Sequence, residues 1–322
     1  MAGSPMKSVF LDYATVSHGD LDVAPLERAL PGIVLYGATA DAEVDARIAG
    51  AAVVLANKAR LTRTRIFANP QLRLIGLTAT GTDTVDLDAA RERGVAVVNI
   101  RDYCTASIVQ HVFAVLLALT HRLREYDRAL KAGAWERTGG YVLPGQPIRE
   151  LAGRTLGVVG FGVLGQGVAR MAEAFGMRVL VANRPAGTVQ PGRLELAALL
   201  AEADVLSLHC PLTAATRNLI GARELALMRR EAILINTARG GLVDAAALAA
   251  ALRAGCLGGA AVDVLPEEPP LHGSPLLAPD LGNLIVTPHT AWAAREARQR
   301  ALEQLAAHVT DALAGGRRGR VA

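Results

Sequence analysis

Short apolar runs alternate with helix-period segments through almost the whole chain, and the rhythm restarts once. Residues 8–11, 34–36, 52–56, 74–78 and 95–99 make a first series of predicted strands, and residues 155–160, 179–182, 205–209, 233–237, 259–263 and 284–287 a second. Each run is too short for a helix and apolar on both faces, the pattern of buried parallel strands covered by crossover helices. Asp86 can cap a helix over residues 86–93, and Gly94 can stop it. At 322 residues the chain is long enough for two domains of ~150 residues. Aromatic residues are only 4%, so both cores must be built from Ala, Val and Leu.

Between the series, residues 105–131 are predicted as one long amphipathic helix, with Val109, Val112, Phe113, Leu116, Leu117 and Leu123 at three- and four-residue steps. A glycine- and proline-rich loop follows, and residues 295–314 read as a closing helix with no strand after it. Longest among uninterrupted apolar runs, residues 112–119 fall far short of the ~20 a membrane span needs, so no membrane association is predicted. Net charge is +4, and Arg317, Arg318 and Arg320 supply three of the positive charges. A nearly neutral body argues against a nucleic-acid surface, and the tail reads as a solvated, frayed end. Cys104, Cys210 and Cys256 are odd in number and widely spaced, which fits free thiols in a reducing compartment and no metal framework. Without a signal-peptide pattern the expected location is the cytoplasm. Residues 1–5 read as an extension ahead of Met6.

Residues 160–165, Gly-Phe-Gly-Val-Leu-Gly, follow a predicted strand and open a helix predicted over 166–175. A GxGxxG string is weak evidence in a chain with 32 glycines, but this is the context the motif requires. Gly160 allows the tight turn, Gly162 lets a pyrophosphate approach the backbone, and Gly165 lets helix and strand pack closely. The next strand runs into Asn183 and Arg184, where NAD-selective sites place Asp or Glu for the ribose 2′-hydroxyl. An amide followed by a cation removes the repulsion of a 2′-phosphate and offers it a partner. The expected cofactor is therefore NAD(P)H, leaning to NADPH or to dual use.

Three further polar clusters sit at or just beyond predicted strand ends, where open α/β sheets bind ligands. They are Asn236-Thr237-Ala238-Arg239-Gly240-Gly241, Asp263 with Pro266-Glu267-Glu268-Pro269, and Thr287-Pro288-His289-Thr290-Ala291. An imidazolium at His289 can donate a proton to a carbonyl oxygen, Glu268 can favour its charged form, and Arg239 can clamp a carboxylate. Each cluster alone is weak; in this order, downstream of the glycine turn, they are specific.

On these motifs the sequence resembles the D-isomer-specific 2-hydroxyacid dehydrogenase family over nearly its whole length. Residues Phe10-Leu11-Asp12-Tyr13, Ala56-Asn57-Lys58, Thr78-Ala79-Thr80-Gly81-Thr82 and Gln110-His111 resemble its glycerate dehydrogenase (hydroxypyruvate reductase) branch. The resemblance implies two Rossmann-like or flavodoxin-like parallel-sheet domains. An NAD(P)-binding domain at residues 104–289 is inserted into a discontinuous substrate domain at 1–103 and 290–322. It implies catalysis by Arg239, Glu268 and His289, and substrate contacts from Lys58, Ala79, Thr80, Gly81, Arg239 and His289. Cofactor contacts would come from Gly160, Gly162, Val163, Leu164, Gly165, Asn183, Arg184, Cys210, Pro211, Thr216, Thr237, Ala238 and Asp263, the last toward the nicotinamide carboxamide.

The implied reaction is reduction of hydroxypyruvate, with glyoxylate as a second substrate, by a homodimer with the long helix in its interface. Alternatives are a phosphoglycerate dehydrogenase-like enzyme and a dinucleotide-sensing protein of corepressor type. Where the family commonly has glycine after the fifth strand, this chain has Asp102 and Tyr103. Trp135 and Trp292 are candidates for pocket lining or for core packing.

Overall fold

The structure, a computed structural model, describes residues 6–145, 147–184, 187 and 190–322. The residue 1–5 extension lies outside them. Contacts divide the chain into two compact units, Met1–Cys104 with Trp292–Ala322, and Thr105–Ala291. The second is thus an insertion in the first.

In the first unit β1 (Ser8–Phe10), β2 (Val34–Leu35), β3 (Val53–Ala56), β4 (Leu74–Leu77) and β5 (Ala96–Val98) form a parallel sheet in the order β2-β1-β3-β4-β5. Strands β1, β3 and β4 are buried along their whole length, which is why they read as unbroken apolar runs. The intervening helices are α1 (Ala24–Ala29), α2 (Val44–Ile48), α3 (Arg63–Ala68) and α4 (Leu87–Glu92). Asp86 caps α4 through the Ala89 N–H, and Gly94 follows with φ +66°. A 3-10 turn, Asp41–Glu43, leads directly into α2.

The inserted unit begins with α5 (Thr105–Thr120) and α6 (Leu123–Lys131), bent by 56°. The single helix expected over 105–131 is therefore two. Arg122 adopts left-handed φ/ψ (+55°, +37°), and the Thr120 hydroxyl bonds back to the Leu116 carbonyl at 3.0 Å. The break also ends the buried stripe: Val109, Val112, Phe113 and Leu116 are buried, whereas Leu123, expected to continue it, is exposed. No single helix among the described residues is long and apolar enough to cross a membrane. Strands β6 (Thr155–Val159), β7 (Arg178–Val181), β8 (Val205–Leu208), β9 (Ile233–Asn236), β10 (Gly259–Val262) and β11 (Leu284–Val286) follow, with α7 (Val163–Ala174), α8 (Leu196–Glu202), α9 (Ala222–Leu227) and α10 (Ala245–Arg253). The sheet is parallel in the order β11-β10-β9-β8-β6-β7. Leu199, Leu206, Leu208, Leu234, Leu248 and Ala260 form its fully buried centre, where truncating a leucine to alanine costs about 2–5 kcal/mol.

The chain returns to the first unit with α11 (Arg295–Leu313), whose Leu302, Leu305 and Val309 are fully buried. Arg298, 7% exposed, is neutralised by Asp20 at 2.6 Å and donates to the Val16 carbonyl. The arginine-bearing tail, expected to fray, is tied down. Val321 N–H donates to the Val97 carbonyl, Val97 N–H to Ala322, and Asn99 N–H to Gly319. Strand β5 leaves a row of backbone groups at the sheet edge, and the tail supplies partners for them.

Candidate functional site

Both sheets reverse their strand order once, and that reversal is where α/β sheets open a crevice beyond the strand C-termini. In the inserted unit it lies between β6 and β8. There Gly160, at φ +94°, packs so closely on the next loop that a Cβ would come within 2.5 Å of the Cys210 nitrogen and 2.6 Å of the His209 carbonyl carbon. At Gly165 an added Cβ would sit 2.1 Å from the Gly160 carbonyl oxygen, whereas at Gly162 nothing lies within 4 Å. The first and third glycines are thus forced by packing. The second faces open space at the start of α7, whose first N–H groups suit an anion. That opening fits the pyrophosphate of a dinucleotide. Thr237, at the end of β9, adds a buried Oγ1 without a hydrogen-bond partner among the described residues.

Sequence-expected cofactor residues Val163 and Leu164 open α7, and Cys210 is buried beneath the turn. Thr216 is 5% exposed and spends its hydroxyl on the loop itself, donating to the Pro211 carbonyl and accepting from Thr213 N–H, both at 2.7 Å. Asn183 is similarly engaged. Its Nδ2 donates to Glu195 Oε1 at 2.8 Å and its Oδ1 accepts from Gln190 N–H at 3.0 Å. Arg184 is exposed beside it.

Three loops beyond β9, β10 and β11 carry the acid–base candidates. After β9, Asn236 holds a turn by donating to the Arg239 carbonyl and accepting from Ala238 N–H. Gly240 then lies against the next loop, where a Cβ would be 2.0 Å from the Leu265 carbonyl carbon and 2.4 Å from the Pro266 nitrogen. Sequence reasoning missed Gly240 as a functional position. Its absent side chain brings the loops of Arg239 and Glu268 together. After β10, Glu268 accepts from Leu265 N–H through Oε1 at 2.8 Å and pairs through Oε2 with His289 Nδ1 at 2.6 Å. Both of its oxygens are therefore aimed.

His289 has φ +55°, a conformation rare for a non-glycine residue. It is held there because its N–H donates to the Asp263 carbonyl at 2.7 Å. The Asp263 carboxylate, 1% exposed, accepts from Thr287 Oγ1, Thr290 N–H and Ala291 N–H. Its chief visible work is to fix the segment that carries His289. His111 on α5 bonds Thr287 Oγ1 at 3.2 Å and completes this anchor.

In the other unit, the reversal lies between β1 and β3. The Asp12 carboxylate, just beyond β1, accepts the N–H groups of Asn57, Lys58 and Ala59 at 2.8, 2.5 and 2.8 Å, fixing the loop of Lys58. After β4, Thr80 donates its hydroxyl to the Ile100 carbonyl, and its own carbonyl accepts from Asn99. The N–H groups of Ala79, Thr80 and Gly81 donate to no group among the described residues. Asp102, in place of the expected glycine, adopts φ +59°, the conformation glycine takes most easily. Trp292 packs edge-on against Tyr103 at 6.2 Å, and Trp135 donates to the Gly140 carbonyl.

Among described residues no cluster of His, Cys, Asp and Glu could hold a metal ion. Residues 113–291 match the family model described as D-isomer specific 2-hydroxyacid dehydrogenase, NAD binding domain. A glycerate dehydrogenase of Methylorubrum extorquens is 44% identical over 85% of this chain and 86% of its own length. A hydroxypyruvate reductase of Blautia hydrogenotrophica is 36% identical over 92% and 94%. The crystal structure of the TT0316 protein from Thermus thermophilus aligns over 98% of this chain and all of its own, with a TM-score of 0.85 and 36% identity. The chain therefore belongs to the D-isomer specific 2-hydroxyacid dehydrogenase family, nicotinamide-dependent oxidoreductases that interconvert 2-keto and 2-hydroxy acids.

Proposed function

We propose that this protein reduces hydroxypyruvate, and glyoxylate as a second substrate, to the corresponding 2-hydroxy acid, using NADPH or either dinucleotide. The observation that carries the reading is the His289–Glu268 pair, set on loops of the same parallel sheet as the glycine turn. A reduced nicotinamide, when bound, supplies the hydride for the carbonyl carbon. His289 supplies the proton for the oxygen. With Nδ1 on Glu268, the proton it gives is the one on Nε2, and the carboxylate fixes the orientation of the ring. Arg239 binds the substrate carboxylate and carbonyl oxygen, holding the carbon for attack.

Gly160, Gly162, Val163, Leu164 and Gly165 receive the pyrophosphate, and Asn183 and Arg184 face the adenosine ribose. Cys210, Pro211 and Thr216 shape the adjoining loop, and Thr237, Ala238 and Asp263 complete the nicotinamide end. Asp263 Oδ2 keeps acceptor capacity for a carboxamide beyond its bond from Ala291. Substrate-carboxylate binding by the amides of Ala79, Thr80 and Gly81 and by Lys58 belongs to the same reading. Free thiols fit the cytoplasm.

A homodimer is part of this proposal. The apolar face of α5 is largely buried within its own unit, but α6 and the loop after it expose Leu123, Leu130, Trp135, Tyr141, Val142 and Ile148. Sedimentation at micromolar concentration checks this.

Steady-state kinetics test the activity, with hydroxypyruvate, glyoxylate and 3-phosphohydroxypyruvate each against NADH and NADPH. Preferred turnover of the phosphorylated acid would move the assignment to a phosphoglycerate dehydrogenase-like enzyme. Dinucleotide binding without turnover of any acid would overturn it in favour of a sensing role.

A further inference from the structure

The carboxylate that the sequence lacks after β7 is restored from another part of the chain. Residues 190–195 return to the end of β7 and pair with it in parallel, Leu194 opposite Ala182. Leu194 N–H donates to the Val181 carbonyl at 2.9 Å, and Asn183 N–H donates to the Leu194 carbonyl at 2.8 Å. This return path brings Glu195 against Asn183. Glu195 is the N-cap residue of α8, yet its side chain makes no capping bond. It turns instead to Asn183 Nδ2 at 2.8 Å. The two residues, with Arg184, Val159, Gly187 and Leu219, line a cavity of about 140 Å³. On its floor Val159 is the last residue of β6, directly before Gly160, so the cavity adjoins the glycine turn.

Asn183 already spends one amide N–H on Glu195 and accepts with its oxygen from Gln190 N–H. What it does is hold a carboxylate. Ionised, that group only accepts hydrogen bonds, so it suits the hydroxyls of a ribose. A 2′-phosphate carries about −1.5 to −2 charges and offers it repulsion instead. We propose that Glu195, positioned by Asn183, accepts the 2′-hydroxyl of an unphosphorylated adenosine ribose and opposes Arg184, so that this pair sets the ratio of NAD to NADP binding. The inference rests on the proposed dinucleotide function and gives a cause for dual use. One cation and one carboxylate share a cavity, each serving a different cofactor.

Isothermal titration of the protein with NAD⁺ and with NADP⁺ tests this without turnover. Glu195→Gln keeps the side-chain length and an oxygen for Asn183 but removes the charge. The ratio Kd(NADP⁺)/Kd(NAD⁺) falls roughly tenfold in E195Q, the effect of one charge at short range beside solvent. It rises in R184A. N183A, which frees Glu195, weakens NAD⁺ with little change in thermal midpoint. E195A serves as the second variant and lowers the ratio in the same direction. An unchanged ratio in both folded Glu195 variants overturns the proposal while leaving the enzyme assignment intact. Binding of neither dinucleotide by the unmodified protein overturns both.

Discussion

Gly240→Ala is the most economical way to disturb the proposed site without touching any of its functional groups. Gly240 does not need a left-handed backbone, so alanine there brings no conformational penalty of its own. What it brings is one carbon placed 2.0 Å from the Leu265 carbonyl carbon, 2.2 Å from its oxygen and 2.4 Å from the Pro266 nitrogen. All three are backbone atoms, and no rotamer change relieves the overlap. Ordinary contact begins at 3.4 Å, so the Arg239 loop and the Glu268 loop must part by about 1.4 Å. Misplacement of a reacting group by ~1 Å costs on the order of a hundredfold in rate. G240A is therefore expected to lose roughly 10²-fold in kcat/KM for hydroxypyruvate. Dinucleotide affinity falls by less than this, because the glycine turn after β6 is untouched and only Thr237 and Ala238 share the displaced loop. Steady-state kinetics at saturating cofactor, paired with dinucleotide titration and circular dichroism, separate the two effects. A folded G240A enzyme with wild-type kcat/KM would refute the reasoning, since the closeness of these loops would then not align Arg239 with Glu268 and His289.

Other perturbations follow from the same geometry. In E268Q a charge-assisted bond to His289 becomes neutral; such bonds contribute about 1.5–3 kcal/mol, so kcat in the reduction direction falls roughly 10- to 150-fold with little change in cofactor Kd. Desolvation of the His209 imidazole pushes its pKa from 6.5 down to about 4. Between those values the unfolded chain binds a proton that the folded chain refuses, so stability declines as pH drops from 6.5 toward 4. H209Q flattens this part of a urea-midpoint profile against pH, and an unaltered slope would remove His209 as its cause. Burial pushes the Cys104 thiol up to about 11 and raises that of Cys210, while Cys256 is exposed. One thiol thus reacts quickly with Ellman's reagent at about pH 8 and two only on unfolding; fast reaction of all three would contradict the packing around Cys104 and Cys210.

How much of this was legible in the sequence depends on the range over which each feature is determined. Each of the eleven strands among the described residues overlaps a predicted run, because a buried parallel strand shows itself through its own composition. The cap of α4 was legible for the same reason, Asp86 and Gly94 being local devices. The bend at Arg122 was not, since a left-handed arginine has no compositional mark. Nor was the tail, whose arginines signal solvent while its backbone, at Gly319, Val321 and Ala322, serves β5.

The site divides along the same line. Glu268 and His289 were readable from their neighbours in sequence, but what aims them was not. Asp263 fixes the His289 segment from 24 to 28 residues away, and Gly240 presses on Leu265 across another loop. Asn183 shows the consequence most sharply. Read alone, it is the loss of an acidic residue and a step toward NADP; read with Glu195, twelve residues on and 2.8 Å away, it is the support for one. Under the role proposed for Glu195, a specificity rule stated for one position at a strand end fails because a neighbouring loop delivers a carboxylate to the cavity that residue 183 lines, and the cofactor senses the chemistry of that cavity rather than the identity of residue 183.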